Sequence, residues 1–286
     1  MKLFGRIAII GVGLIGGSIG LAIKKRMVAN EVVGVFRRQS TMRKALKRRA
    51  VDRGTLDIRE GVKDADLIII ATPVSLIPDM ASRAAKFAGE NAVITDAGST
   101  KAWIVDSVEK KFGKTAGPYF VGSHPMAGSE QGGVESATAG LLEGSPCIIT
   151  KTGKTNRSAL DKVARFWRAL GASVKIMSPQ AHDRSVSIVS HLPHIVAFGL
   201  AGATPAKELG CAAEGFRDTT RVASSDPELW ADILTTNKKE IAEAAKLFDA
   251  YYKDIMKAVK GSRRNDVVRL LAKAKSKRDK LVYGKR

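Results

Sequence analysis

The sequence predicts an α/β fold whose first half winds helices over a parallel sheet, followed by an all-helical second half. Three observations carry that prediction. Strand-like and helix-like segments alternate up to residue 177, a glycine-rich turn joins the first strand to the first helix, and almost only helical periodicity follows Ser178-Pro179.

Residues 6–10 read as a short apolar strand, 16–25 as a helix, 32–36 as a second strand and 41–49 as a basic helix. Residues 67–71 are uninterrupted apolar side chains, the pattern of a strand covered on both faces. A helix at 76–88, a strand at 92–95 and a helix at 100–112 come next. Residues 120–122 and 147–150 read as later strands, 157–170 as a helix and 173–177 as the last strand. Residues 182–203 are apolar on nearly every side. Such a helix is expected to be buried around its whole girth, at the centre of a helical domain or in a subunit interface. Pro193 removes one helical hydrogen bond there and crowds the carbonyl of Val189, which predicts a kink. Ser225-Asp226-Pro227-Glu228 is a helix start, with a capping residue, a proline in the first turn and an acid at the positive end of the dipole. That helix is expected to run through Leu229, Trp230, Ile233, Leu234, Ile241, Leu247, Phe248, Tyr251 and Ile255, with a final helix over about 266–282. The expected domains are residues 1–178 and 179–286.

Composition excludes several classes. With 44% hydrophobic and 27% charged residues in 286, a core is affordable and disorder is not expected. No apolar run is read as reaching the ~18 residues of a membrane span, so no membrane partner is expected. The chain enters its first strand with no secretory leader ahead of it, and a cytoplasmic protein is expected. Cys147 and Cys211 form no CxxC pair and are expected to be reduced and structural. The formal charge is +20, from 48 basic and 28 acidic residues. The basic residues are spread along the chain, densest at 37–49 and from Arg263 onward, where they read as the solvated face of a terminal helix. No nucleic-acid partner is expected; the positive field would draw in small polyanions such as a dicarboxylate and a dinucleotide.

Gly11-Val12-Gly13-Leu14-Ile15-Gly16 follows a strand and opens a helix. Gly11 permits the tight turn, Gly13 lets the backbone approach a pyrophosphate, and Gly16 lets the helix pack on the sheet; the N–H groups at the helix start then face the phosphates. The first domain is therefore Rossmann-like. An NAD site usually places an acid about 20 residues beyond the glycines. Here Phe36 is followed by Arg37, Arg38, Gln39, Ser40 and Thr41, which suits the 2′-phosphate of NADP, with NAD as the lesser expectation. The bland alternative is that both arginines simply start a basic surface helix. Thr72 and Pro73 form a candidate lip for the middle of the cofactor.

Only four histidines occur, His124, His182, His191 and His194, and a base working near neutral pH is most often a histidine. Ser99 and Thr100 lie at a strand-to-helix turn, where they either face a ligand, cap the helix, or both. His124 sits in a glycine-rich, loop-like stretch at a strand end, with little structural reason to be there. His191 and His194 share a helix face and are either core histidines or pocket residues; no metal is expected, because no acid or thiolate has suitable spacing. Arg217 and Arg221, in a connection between helices, suggest carboxylate binding, with a surface ion pair as the alternative for one of them.

Together these segments resemble the prephenate/arogenate dehydrogenase family, over about residues 6–282. The motifs are GVGLIGGS from Gly11, DAGSTK from Asp96, GSHPMAGSE from Gly122, SHLPH from Ser190 and GFRDTTR from Gly215. The resemblance implies a Rossmann-like nucleotide-binding domain followed by an all-α domain for dimerisation and substrate binding, hence a homodimer. It implies that His124 is the catalytic histidine on the substrate's ring hydroxyl, that Ser99 orients that hydroxyl and the nicotinamide, and that Arg221 grips a substrate carboxylate. His194 matches a second pocket histidine, Glu130 an acid at the pocket mouth, and His191 a member of the same motif. The implied activity is oxidative decarboxylation of prephenate with NADP, in tyrosine biosynthesis, with arogenate or dual use as the alternative. Reading His194 as an added donor tilts the choice towards prephenate or dual use. Outside the family, a 3-hydroxyacid-type dehydrogenase shares the glycine turn and buried helices, and a nucleotide-sensing regulator would use the positive charge.

Overall fold

A computed structural model describes residues 2–112, 118–129 and 131–283. Six parallel strands, β1 (Phe4–Ile10), β2 (Ala29–Val35), β3 (Arg53–Thr55), β4 (Leu67–Ile70), β5 (Val93–Asp96) and β6 (Tyr119–Val121), form the main sheet in the order β3-β2-β1-β4-β5-β6. The order reverses between β1 and β4, and ligands of such sheets bind off the carboxyl ends of the strands at that point. Strand side chains alternate between two cores. Ile7, Ile9, Leu67 and Ile69 enter one, while Ala8, Ile10, Ile68 and Ile70 enter the other. This double burial is why residues 67–70 are all apolar. The connecting helices are α1 (Leu14–Lys25), α2 (Gln39–Lys47), α3 (Ile58–Val62), α4 (Ile77–Ala85) and α5 (Ala102–Phe112). β3 and α3 carry too few residues to show a period, and β3 is a polar edge strand, so neither is visible in the sequence pattern.

At Gly122 the chain leaves the main sheet. A side chain there would press within 2.7 Å of the Thr150 hydroxyl. The next three residues form β7 (Ser123–Pro125), antiparallel to β8 (Pro146–Thr150), which pairs in parallel with β9 (Ser173–Met177). This second sheet corrects the loop expected around His124, which is held on a strand. Its partner segment begins 21 residues after β7 ends, beyond the reach of local pattern reading. α6 (Arg157–Ala169) buries Phe166 and Trp167, and Trp167 Nε1 donates to Ser123 Oγ at 3.0 Å.

α7 (Pro179–Val186), a π-helical turn (Ser187–His191) and α8 (Leu192–Ala203) make one helix. Ser178 caps it, accepting from Ala181 N at 3.2 Å. The distortion expected at Pro193 is the wider π turn just before it, where the ring's missing N–H and bulk are accommodated. This Pro179–Ala203 segment corrects the reading that no run has membrane length: by length and composition it does, with mean hydropathy 1.5 in its most apolar window. One such helix is also common in protein cores, and this one buries His182, Asp183, Ser187 and His191 within the fold. Burial around the whole girth does not hold within one chain, since Ile188, Val189 and Leu200 are exposed and only Ala197 of α8 is fully covered.

α9 (Glu214–Thr220) and α10 (Pro227–Thr236) follow, α10 starting at the expected cap, with Asp226 accepting from Glu228 N at 2.9 Å. The long helix expected through Ile255 breaks at Asn237, whose side chain is turned inward; α11 (Lys238–Lys260) begins after it. Residues up to Lys238 form one compact unit and those from Lys239 a second. In the second, α11 and α12 (Arg264–Tyr283) are joined by Tyr251 Oη donating to the Leu270 carbonyl at 2.7 Å. Cys147 is buried as expected, whereas Cys211 is exposed.

Candidate active site

The glycine turn is built as the sequence implies. Gly11 has φ +89°, and a Cβ there would sit 2.7 Å from the Ala71 carbonyl oxygen; at Gly16 it would sit 2.1 Å from the Gly11 carbonyl oxygen. A Cβ on Gly13 would meet nothing within 4 Å, so that side of the turn is open. α1 starts with no side-chain cap and no acid in its first turn. The N–H groups of Leu14, Ile15 and Gly16 and the positive dipole end are therefore left for an anion, and this cradle fits a pyrophosphate. Gly11 N donates to the Val35 carbonyl at 3.1 Å, which brings the end of β2 beside the turn. Past it Phe36 is buried, Arg37, Arg38 and Ser40 are exposed, and Thr41 is half-buried at an uncapped start of α2. Thr72 and the exposed Pro73 follow β4. They lead into Ser75, whose N–H and hydroxyl donate to Asp232 of α10 at 3.3 and 2.6 Å.

One strand further along, Asp96 closes β5 as a buried carboxylate. It accepts from Gly98 N at 2.9 Å, from Ser123 N at 3.0 Å and from the ammonium of Lys101, which is itself fully buried. Ser123 Oγ donates to the Asp96 carbonyl at 2.5 Å. Burial lowers the Lys101 ammonium from its ordinary value, and Asp96 opposes that shift. Asp96 and Lys101 thus staple the turn holding Ser99 to the strand holding His124.

His124 is 8% exposed, and its Nδ1 lies 2.9 Å from Nε2 of His182. Nδ1 of His182 lies 2.7 Å from Oδ1 of Asp183. The same carboxylate accepts from Lys101 N at 2.7 Å and from Ala102 N at 2.9 Å, so it also caps the start of α5. Neither Ser99 nor Thr100 serves as that cap among the described residues; Thr100 Oγ1 instead meets Thr236 Oγ1 at 3.1 Å, and Ser99 is half-buried in the turn. The proton positions follow from the partners. A carboxylate only accepts, so His182 carries its proton on Nδ1 and presents a lone pair at Nε2. His124 must then donate from Nδ1, which leaves Nε2 as the basic nitrogen. Burial pushes His124 well below the usual histidine range, with His182, Lys101 and His191 adding to the effect, and burial also lowers His182 against the pull of Asp183. Both rings are neutral near pH 7.

Asn237 Nδ2 donates to the Asp183 carbonyl at 2.9 Å and faces His191 Nδ1 at 3.2 Å. His191 is 1% exposed, so it packs behind the site, with its Nε2 buried and without a hydrogen-bond partner. Burial lowers it to about 4. His194 is half-buried, stacks on Trp230 and donates from Nδ1 to the Ser190 carbonyl at 2.9 Å. Its neutral ring therefore presents an acceptor at Nε2, which corrects the reading of His194 as an added donor. Arg221, exposed just after α9, acts on His194 electrostatically. Glu130 lies outside the described residues. Sequence reasoning assigned no role to Asp96, Lys101, His182, Asp183, Trp230 or Asn237. The available signal was His182-Asp183, an adjacent histidine and acid in the first turns of a helix whose later part is apolar.

This sheet order, an open glycine cradle and a neutral imidazole with a free basic nitrogen at the strand ends define a dinucleotide-dependent dehydrogenase. Residues 19–176 match the family model described as "Prephenate dehydrogenase, nucleotide-binding domain", and residues 178–273 match "Prephenate dehydrogenase, dimerization domain". The chain belongs to the prephenate dehydrogenase family. It is 39% identical to the prephenate dehydrogenase of Bacillus subtilis over 88% of this chain and 68% of that protein. It is 32% identical to the cyclohexadienyl dehydrogenase of Zymomonas mobilis over 91% of this chain and 90% of that protein. The solved prephenate dehydrogenase from A. aeolicus in complex with hydroxyphenyl propionate and NAD+ matches with a TM-score of 0.89 at 32% identity, covering 97% of this chain and 98% of that one.

Proposed function

We propose that this chain oxidatively decarboxylates prephenate to 4-hydroxyphenylpyruvate with NADP, as a homodimer formed through the matched dimerization domain. The observation that carries the reading is the pair of contacts in series from His124 Nδ1 to His182 Nε2 and from His182 Nδ1 to Asp183, an arrangement that leaves Nε2 of His124 as the basic nitrogen. The nicotinamide, when bound, supplies the acceptor for the hydride lost from C4 of the substrate. His124 Nε2 takes the C4 hydroxyl proton, so that the oxygen becomes a carbonyl. The C1–carboxylate bond then breaks, carbon dioxide leaves, and its electron pair makes the ring aromatic. The proton on Nε2 returns to the oxygen, giving the phenol. Ser99, beside the Asp96–Lys101 staple, orients the hydroxyl; positioning of this kind is worth several kcal/mol of barrier. Arg221 binds a substrate carboxylate.

Arg37, Arg38, Ser40 and Thr41 support NADP over NAD, because four cationic or hydroxyl side chains and no acid follow β2 beside the glycine turn. A second reading, arogenate as substrate, is favoured by one observation. The acceptor presented by neutral His194 suits an ammonium better than a keto oxygen. A two-by-two assay decides among these readings: prephenate and arogenate, each with NAD and NADP, following the reduced cofactor. Prephenate turnover with NADP supports the proposal, and turnover of arogenate alone replaces it with the second reading. Absence of turnover in all four overturns both.

A further inference from the structure

We infer that Asp183 is a positioning residue for catalysis, acting on His124 through His182 and on the Ser99 turn through the start of α5. The inference rests on the reading of His124 as the base and goes beyond it by naming what fixes that base.

A neutral imidazole has two tautomers of similar energy, and only one leaves His124 Nε2 able to accept a proton. Nothing in the His124–His182 contact alone selects between them. At 2.9 Å, Nδ1 of His124 can donate to Nε2 of His182, or the two roles can be reversed. The choice is made at the far end. Asp183 Oδ1 accepts from His182 Nδ1 at 2.7 Å, and its carboxylate receives two further donors, Lys101 N and Ala102 N, so it has nothing to give. Its orientation is fixed by those backbone bonds to α5 and by Asn237, which holds the Asp183 carbonyl at 2.9 Å. Asp183 and His182 are both at most 2% exposed, so water does not compete for these contacts. The carboxylate also faces the charge that arises when His124 takes its proton, two rings away.

One carboxylate therefore connects both catalytic elements. Through His182 it sets the tautomer of His124 on β7, and through the first N–H groups of α5 it holds the turn carrying Ser99. A residue that served only as a helix cap would not need the adjacent histidine in bonding reach. A histidine present only as filling would not need its Nδ1 aimed at that cap.

The test compares Asp183→Asn and Asp183→Ala with the unmodified enzyme under the assay conditions that support turnover. Losing a carboxylate that fixes a catalytic imidazole costs up to about 10⁴ in turnover; with one more ring between, a loss of about 10²–10³ in kcat is expected for Asp183→Ala, with KM little changed. Asp183→Asn, whose amide oxygen can still face His182 and Lys101 N, is expected to lose about tenfold. In the His124→Ala background, Asp183→Ala should lower kcat by much less than it does in the unmodified enzyme, because the larger part of its effect runs through His124 and only the hold on the Ser99 turn remains. Imidazole ¹⁵N spectra give a readout independent of activity. His124 should carry its proton on Nδ1 in the unmodified protein and show mixed tautomers in Asp183→Ala. An unchanged His124 tautomer in a folded Asp183→Ala protein, or a loss of kcat that adds in full to that of His124→Ala, overturns the inference. If His124→Ala itself keeps full kcat, the reading of His124 as base fails instead.

Discussion

The imidazole of His194 lies on the indole of Trp230, with ring centroids 3.7 Å apart and planes 24° apart. The stack fixes the plane of the ring, and the bond from Nδ1 to the Ser190 carbonyl fixes its tautomer. Trp230 is itself buried and sits edge-on to His191 at 6.0 Å, so it orders two histidines at once. Trp230→Leu is expected to raise KM about 2- to 10-fold with little change in kcat, the value of one aromatic pair, as read from steady-state kinetics. A fall in kcat with KM unchanged would place His194 in the chemical step instead.

Substrate preference should respond to pH through the same ring. Burial lowers His194 from its ordinary value; the Ser190 carbonyl opposes this and the Arg221 charge adds to it. Above pH 6.5 the ring is neutral and accepts, and below its lowered pKa it is cationic and donates. The ratio of kcat/KM for arogenate to that for prephenate should therefore fall as the solution is taken below pH 6.5. A ratio flat between pH 5 and 8 would show that Nε2 of His194 does not meet the side chain in which the two substrates differ.

Folding stability should fall in acid through the buried histidines. His191 titrates at about 4 in the folded chain against 6.5 when unfolded, so between those values the unfolded chain binds the proton first. Stability is complete above pH 6.5 and declines as pH drops towards 4, by about 3 kcal/mol for this one group. Denaturant midpoints from pH 7.5 to 4.5 should show a shallower slope for His191→Gln than for the unmodified chain, and equal slopes would contradict the burial of His191.

The Asp96–Lys101 pair should behave as a buried ion pair. Lys101→Met leaves the Asp96 carboxylate without its cation and is expected to cost about 3–5 kcal/mol of folding free energy. The double change Asp96→Asn with Lys101→Met should recover part of that loss. Equal stability of the single and double variants would show that the uncompensated charge is not the source of the cost.

The cofactor prediction is a selective one. Replacing Arg37 and Arg38 with alanine is expected to raise KM for NADP about 10- to 100-fold, the worth of hydrogen bonds to a charged group, while leaving KM for NAD within a few-fold. Equal changes for both cofactors would mean that these arginines act only as surface charge.

The parts of this molecule legible in the sequence are those coded by neighbours in the chain. Gly11 and Gly16 announce their turn because backbone crowding leaves no room for a Cβ, and residues 67–70 announce their strand because both faces are covered. The cap of α10 is legible for the same reason, since Asp226 and Glu228 are two residues apart. The network behind His124 is not legible locally. His182 is 58 residues from His124, and Asp183 is 82 from Lys101. Those contacts exist only after β7 has left the main sheet and α7 has packed on α5. The break at Asn237 has the same origin. Helical periodicity runs on through it, and a buried amide bonded to Asp183 and His191 overrides that period.

On the proposed function, the chemistry passes through Nε2 of His124. The direct measurement is kcat with prephenate and NADP for the unmodified enzyme and for His124→Ala, with circular dichroism to confirm that both are folded. A loss of about 10²–10⁴ in kcat, the usual share of a general base, is the predicted result. A folded His124→Ala enzyme that keeps the kcat of the unmodified chain contradicts it.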